Sequence, residues 1–169
     1  MKKQKSIGNK GFSLVELIIV IAIMAILVGV MAPNLLRYVE KTNVSSDTQL
    51  ADSVKTAITT AMMDPAVLNS NDNSCTTFVD AHDDGTYVDL ETSLTGDFLT
   101  AVADTLGSTQ TTGAGLASEL IGNLKSAHAT TAKIQVQVTG SNAVEVQITT
   151  TDADAKKVTD GTATPIEVK

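Results

Sequence analysis

Residues 11–34, GFSLVELIIVIAIMAILVGVMAPN, are apolar enough to cross a bilayer yet carry a carboxylate, Glu16, near their start. Residues 17–32 are sixteen apolar positions without a charge. Continued to Leu36, the run has twenty positions, about 30 Å of helix, which is the thickness of a hydrocarbon core. A carboxylate inside a membrane costs on the order of 3 kcal/mol and typically marks a function. The stretch therefore predicts a membrane helix with a second role.

Charge is distributed unevenly along the chain. The four lysines of the first eleven positions all precede the apolar run, and no acid does. From Phe12 onward, eight basic side chains face nineteen acidic ones, a net charge of about −11. Because such an acidic body repels nucleic acid and anionic headgroups, direct binding to nucleic acid is not expected.

Three interpretations of the N-terminus compete. A secretory signal peptide also has a lysine-rich start and an apolar stretch, and residues 30–32 resemble its small-residue cleavage site. Pro33 directly after that site argues against a signal peptide, and Glu16 would have no purpose inside one. A plain anchor, or a bitopic surface protein that never polymerises, also leaves Glu16 unexplained. The third interpretation depends on the residues that open the run.

The hexapeptide GFSLVE, residues 11–16, follows the lysine-rich leader and precedes the apolar helix. It resembles the class III signal of the type IV pilin family, which includes the pseudopilins, and its fixed order of residue types makes the match specific. The resemblance is strong from Lys10 to about Met62 and only architectural beyond. It implies that the leader is removed and that the apolar helix stays on the chain.

The resemblance also implies partners and a location. A prepilin peptidase that is also an N-methyltransferase would cut after Gly11 on the cytoplasmic side and methylate the new amine of Phe12. The absence of a side chain at Gly11 lets backbone approach a catalytic site closely. The precursor would be a single-pass protein of the cytoplasmic membrane with its head outside. A pilus assembly platform and its ATPase would then move it into an extracellular filament on the cell surface.

Cleavage suggests a purpose for Glu16. The mature chain would start with a positive amine on Phe12 and carry an anion four residues later. Within one helix this pair can partly neutralise itself. The family resemblance implies instead that Glu16 lies beside the amine of a neighbouring subunit and sets the axial register of the filament.

An apolar stripe continues the helix beyond the membrane segment. Apolar side chains recur mostly at steps of three and four until Asp64-Pro65, where proline disfavours the helical region for the residue before it. The stripe comprises Leu36, Val39, Leu50, Val54, Ile58, Ala61 and Met62. Charged residues, among them Asp47, are predicted to lie off it. One helix over residues 12–63 follows, with a kink at Gly29 and Pro33 because proline removes a helical hydrogen bond.

The remaining sequence predicts a small head. Apolar and polar residues alternate over 134–139 and again over 144–148, around a Gly140-Ser141-Asn142 turn, which predicts a β-hairpin. A third strand is expected at 165–168. Helices are predicted over 97–106, stopped by Gly107, and over 116–127. Residues 69–75 are expected to form a polar loop, and residues 78–79 and 87–88 two short strands.

The predicted fold class is α+β, a long N-terminal helix packed on a small antiparallel sheet. The apolar face of the sheet is expected to lie on the helix stripe at residues 50–62. Four segments follow: a leader at 1–11, the transmembrane and polymerisation half of the helix at 12–33, its amphipathic half at 34–63, and the α+β head at 64–169.

No enzyme chemistry is expected from the head. Calcium-loop spacing is met in part by Asp80, His82, Asp84, Gly85 and Glu91, but His82 replaces an oxygen donor. An acid-rich surface turn is the favoured interpretation. No zinc site is expected, because both histidines, His82 and His128, are isolated. The lone cysteine, Cys75, cannot form an internal disulfide and is interpreted as a small free thiol. No cofactor and no metal are therefore predicted.

The sequence favours a structural subunit, a major pilin of a type IV pilus. A pseudopilin of a type II secretion or competence DNA-uptake system is the alternative within the family, and a non-polymerising bitopic surface protein is the alternative outside it.

Overall fold

The computed structural model describes residues 12–82, 85–126, 132–139, 143–150 and 166–168. The helices are α1 (Leu14–Met62), α2 (Pro65–Leu68), α3 (Ser74–His82), α4 (Leu90–Ser93), α5 (Gly96–Leu106) and α6 (Gly113–Gly122). The strands are β1 (Val88–Asp89), β2 (Ala132–Thr139), β3 (Ala143–Thr150) and β4 (Ile166–Val168). The α+β class is confirmed. The predicted leader, the 140–142 turn, Asp84 and His128 lie outside the described residues.

Helix α1 is 49 residues long and continues through Pro33. It ends where the sequence indicated: Asp64 has an extended backbone, with φ −73° and ψ 119°. The Asp64 carboxylate accepts a hydrogen bond from the N–H of Ala66 at 2.8 Å, and Pro65 occupies the first turn of α2. Asp64 is thus an N-cap, and Pro65 fits there because a first-turn residue needs no intrahelical N–H.

The chain divides into two compact units between Val39 and Glu40, within the sequence of α1. Every described side chain of the first unit, residues 12–39, is exposed. The apolar positions Leu36 and Val39 are 71% and 50% exposed, so the predicted stripe is not buried by the chain at these two positions. The second unit begins at Glu40 and holds the core.

The core of the second unit combines the α1 stripe with one face of the sheet. Ala51, Val54, Ala57, Ile58 and Ala61 of α1 belong to the same buried cluster as the inward residues of β2 and β3. Those inward residues are Ala132, Ile134, Val136, Val138, Val144, Val146 and Ile148. Burying one face of the sheet on the stripe was predicted and is confirmed.

The sheet has the strand order β1-β2-β3-β4, and every neighbouring pair is antiparallel. The predicted hairpin is confirmed: β2 and β3 pair along their full length, with Val136 opposite Val146. Strand β4 adds to β3, with Ile166 opposite Ile148. On β2 buried and half-buried residues alternate strictly, as the period of a strand requires.

The prediction of a strand at Phe78-Val79 is wrong, because both residues lie in α3. Phe78 is 1% exposed, and its ring lies 4.8 Å from that of Phe98 on α5, at 46° between the planes. The aromatic pair and the buried Cys75, three residues before Phe78, place one face of this segment in the core. Tertiary packing therefore overrides the strand preference of the Phe-Val pair.

Other boundaries differ from prediction because capping residues set them. Helix α6 begins at Gly113 rather than at 116, since Thr112 is its N-cap and accepts a hydrogen bond from the N–H of Gly115 at 3.1 Å. Helix α5 ends as predicted, with Gly107 left-handed at φ 71°. The short helices α2 and α4 were not predicted.

Phe98→Ala should lower the free energy of unfolding of the head by about 3–5 kcal/mol, because it removes a fully buried ring and leaves a cavity beside Phe78. Urea denaturation of the full chain in detergent, followed by circular dichroism, measures the change. Met63→Ala is the control: that side chain is 72% exposed and should change the value by less than about 0.5 kcal/mol. Equal effects of the two substitutions would contradict the assigned core.

Candidate functional site

The start of α1 positions Glu16 through its own backbone. The carbonyl of Ser13 accepts the first helical hydrogen bond, from the N–H of Leu17 at 3.3 Å. The N–H of Ser13 donates to Oε2 of Glu16 at 2.9 Å. Ser13 is thus the N-cap, and Glu16 makes the carboxylate half of a capping box. The S-x-x-E spacing is visible in the sequence and would have predicted this contact, which sequence analysis missed.

This arrangement also suits the electrostatics of a helix start. The unpaired N–H groups of a first turn carry a partial positive charge, which stabilises a nearby carboxylate. In the uncleaved chain the nitrogen of Phe12 belongs to the peptide bond with Gly11, which lies outside the described residues. The recorded partner of Glu16 is therefore the Ser13 N–H, in the same chain.

Apolar side chains that no described residue covers lie on both sides of this carboxylate along α1. Sixteen large apolar side chains between Leu14 and Leu36 are at least half exposed, and Phe12 is 94% exposed. One 18-residue window has a mean hydropathy of 3.0 and no buried position. By length and composition this helix is able to cross a membrane, a test that a signal sequence also passes.

The kink residues add little within the single chain. Among the described residues, a Cβ at Gly29 would meet nothing within 4 Å, so no close approach there demands glycine. Pro33 is an internal residue of α1. The kink at these two positions stays a prediction.

Of the partial calcium-loop residues, Asp84 and the side chain of His82 lie outside what the structure describes. Asp80 is exposed on α3, and Glu91 lies in the first turn of α4. In the part of the chain that the structure describes, no group of three His, Cys, Asp or Glu side chains is arranged to hold a metal ion.

Asp72 has a different role, as the central acceptor of a hydrogen-bond network. One carboxylate oxygen accepts hydrogen bonds from Ser70 Oγ and from both N–H and Oγ of Ser74, at 2.8–2.9 Å. The other accepts the N–H of Asp97 at 2.6 Å, at the start of α5. The N–H donors of Asp97 and Ser74 hold the pKa of Asp72 well below its usual range. Gly96 has φ +60°, and a Cβ there would collide with this carboxylate.

Cys75 directly follows Ser74 of this hydrogen-bond network and is a buried free thiol, as predicted. Burial, and secondarily the negative charge of Asp72, raise the pKa of the thiol. The thiolate is the reactive form, so this cysteine is suited to packing rather than to chemistry.

A second polar network crosses the outer face of the sheet. Asp89 of β1 accepts hydrogen bonds from Lys133 Nζ and from Gln135 Nε2, the latter at 2.8 Å. Gln135 Oε1 in turn accepts from Gln147 Nε2 on β3 at 2.8 Å. The Lys133 ammonium and the Gln135 amide lower the pKa of Asp89. The network joins three strands, and this role indicates structure rather than catalysis.

Comparison with known proteins agrees with the geometry at the start of α1. A family model described as the prokaryotic N-terminal methylation motif matches residues 8–32. The fimbrial protein of Moraxella nonliquefaciens is 45% identical over 53 residues, 31% of this chain and 34% of that protein. The type IV major fimbrial protein FimA of Dichelobacter nodosus is 40% identical over 73 residues, 43% of this chain and 41% of that protein. No solved structure gives a significant match.

These findings define an α+β protein that carries a prokaryotic N-terminal methylation motif at the head of a long apolar helix. The predicted resemblance to the type IV pilins is confirmed. The chain spans less than half of the length of the curated relatives it matches.

Asp72→Asn should destabilise the head in a pH-dependent way. Because the pKa of Asp72 is lower in the folded than in the unfolded chain, its ionised form stabilises the fold above about pH 4. That contribution is lost as the pH falls toward the folded pKa. In thermal melts of the full chain, the difference in melting temperature between wild type and variant should therefore be constant from about pH 7 to 5. It should narrow below about pH 4.

Asp104→Asn replaces an exposed carboxylate on α5 and is the control for this titration. The melting temperature of this variant should differ little from that of wild type over the whole pH range. A melting-temperature difference for Asp72→Asn that stays constant down to about pH 2 would contradict the role assigned to the Asp72 hydrogen-bond network.

Proposed function

We propose that this chain is a structural subunit of a type IV pilus, a major pilin that polymerises with copies of itself through α1 after its leader is removed. The observation that carries the proposal is the run of uncovered apolar side chains directly behind the Glu16 carboxylate, inside the methylation motif. The names of the two relatives, a fimbrial protein and a type IV major fimbrial protein, support the same role. The role is structural rather than enzymatic.

The proposal assigns a role to each of the four segments. Residues 1–11 are the leader, and residues 12–33 anchor the precursor in the cytoplasmic membrane and later pack in the filament. Residues 34–63 attach this helix to the head at residues 64–169, which the filament displays. The uncovered apolar surface supports both locations of residues 12–33, since a bilayer and a core of packed helices each remove apolar side chains from water.

Processing requires an enzyme that this chain does not supply. A prepilin peptidase cuts after Gly11, and its N-methyltransferase activity modifies the new amine of Phe12. The exposed position of Phe12 supports access to this point. An assembly platform and its ATPase then extract the subunit from the membrane, with the head on the outer side.

Glu16 changes its partner during assembly. In the precursor it accepts the N–H of its own Ser13, a neutral donor. After the cut, a positive amine at Phe12 becomes the stronger partner, because a charge-assisted hydrogen bond is roughly twice as strong as a neutral one. In the filament that amine belongs to a neighbouring subunit, so a pair of buried charges sets the axial spacing.

Electron microscopy of cells with and without the gene tests the proposal. Long surface fibres that disappear on deletion support a major pilin. Short fibres confined to the envelope would instead identify a pseudopilin, and an unchanged surface would identify a bitopic protein that does not polymerise.

Gly11→Glu should block removal of the leader, because a side chain at the cleavage point prevents close approach of the backbone to the peptidase. Mass spectrometry of the membrane fraction should find the whole chain in the variant. In the wild type it should find a chain that begins at Phe12 and is heavier by one methyl group. A native N-terminus at Met1 or at Pro33 would contradict the proposed processing.

Glu16→Gln and Glu16→Ala separate capping from charge pairing. Glutamine keeps an oxygen that accepts the Ser13 N–H, whereas alanine removes both the acceptor and the charge. If the charge pairs with a neighbour's amine, both variants should be cut normally and accumulate unassembled, because an unpaired amine in an apolar core is costly. Immunoblots of sheared fibres and membranes measure the distribution.

Cells that make wild-type and variant subunits together sharpen this experiment. The amount of either variant incorporated into wild-type fibres should be about tenfold or more below that of wild-type subunits. This factor corresponds to a charge pair that contributes about 1.4 kcal/mol or more. Normal fibres from Glu16→Gln subunits alone, with a defect only in Glu16→Ala, would assign Glu16 to helix capping and refute the charge pair.

A further inference from the structure

Asp47 is a charged residue buried on the head side of α1, contrary to the prediction that it lies off the apolar stripe. It is 1% exposed. Its Oδ1 accepts the backbone N–H of Lys125 at 2.9 Å, and its Oδ2 accepts the N–H of Ser126 at 3.0 Å. The two donors are 78 and 79 positions away in sequence. A buried carboxylate is tolerated only when such bonds replace its hydration.

The two donors belong to the segment that follows α6 and leads toward β2, here called the strap and defined as residues 124–126. Leu124 and Ser126 are 7% and 4% exposed, so the strap lies against the core. Both strap and Asp47 belong to the compact unit that begins at Glu40. The Asp47 carboxylate therefore links the strap, which lies late in the sequence, to the part of α1 around residue 47.

The burial of side chains along α1 shows that the contact between Asp47 and the strap lies where α1 begins to pack on the core. From Glu40 to Ser46 every side chain is exposed or half-buried, and Asp47 is the first buried residue of α1. Full burial of apolar side chains starts at Ala51 and Val54. Among the described apolar residues within three positions of Asp47, Val44 and Leu50 pack on the core, each partly buried. Few buried apolar contacts mean low local stability, so the polar tie contributes a large share of the attachment there.

We propose that Asp47 is a clamp that sets the point at which α1 joins the head. While both hydrogen bonds are made, the strap and residues 44–50 of α1 are held together. When they break, these two segments separate while residues 54–61 stay packed in the core. The clamp is thus a built-in boundary for local opening of α1. It rests on contacts within the compact unit that begins at Glu40, and it holds whether or not the chain forms a filament.

Ser126 provides a matched control because its hydroxyl is not part of the clamp. Ser126 Oγ is buried and has no hydrogen-bond partner among the described residues. Only the backbone N–H of this residue donates to Asp47. Ser126→Ala keeps the N–H and removes the unpartnered hydroxyl, so it should leave the clamp closed.

Hydrogen exchange of the full chain in detergent micelles, resolved by residue with NMR, tests the clamp. Asp47→Ala should speed exchange at the amides of Lys125 and Ser126 and at residues 44–50 by about ten- to hundredfold. Amides at 54–61 should keep their wild-type rates. Asp47→Asn keeps one acceptor oxygen, so one of the two strap amides should stay protected and the other should exchange faster. Ser126→Ala should match wild type.

Three results would overturn the clamp. Wild-type exchange at both strap amides in Asp47→Asn would show that the carboxylate does not hold them, and this variant decides the question if Asp47→Ala fails to fold. Faster exchange spread evenly over residues 44–61 would show general destabilisation rather than a boundary. Acceleration in Ser126→Ala equal to that in Asp47→Ala would assign the effect to packing of the strap.

Discussion

Large apolar side chains on the first part of α1 are not covered by any residue that the structure describes, and this exposure is the main physical constraint on the first unit. A run with a mean hydropathy of 3.0 favours an apolar environment over water. The same helix, after Asp47, buries a stripe against a sheet. One helix thus supplies two apolar surfaces, one that the described residues leave exposed and one that packs in the core.

Sequence periodicity predicted the parts of the fold whose signal is local. The alternation around Val136 and Val146, the helical spacing that ends at Gly107, and the Asp64-Pro65 stop each depend on neighbours within a few residues, and each is found in the structure. Helix α3 was missed because the Phe78-Val79 pair favours a strand on its own. What makes it helical is packing against Phe98, twenty positions later.

The candidate site shows the same division. The motif around Glu16 could be recognised because its residues are contiguous, and even the capping contact that was missed follows from the S-x-x-E spacing. The role of Asp47 could not be predicted in this way. A carboxylate on a helix is assigned to solvent by default, and nothing near Asp47 in sequence indicates that two backbone donors meet it from residues 125 and 126.

The acidic composition of the head therefore has two meanings. It was expected to repel nucleic acid and anionic headgroups, yet Asp47, Asp72 and Asp89 also each hold separate segments together. Asp47 and Asp72 do so with backbone N–H donors, which a chain with few basic residues has in abundance, and the N–H donors at Asp72 lower its pKa without any cation. Only Asp89 uses a lysine. A surplus of acids over bases is thus compatible with a well-fixed head, because Asp47 and Asp72 are held by backbone N–H donors and need no basic side chain.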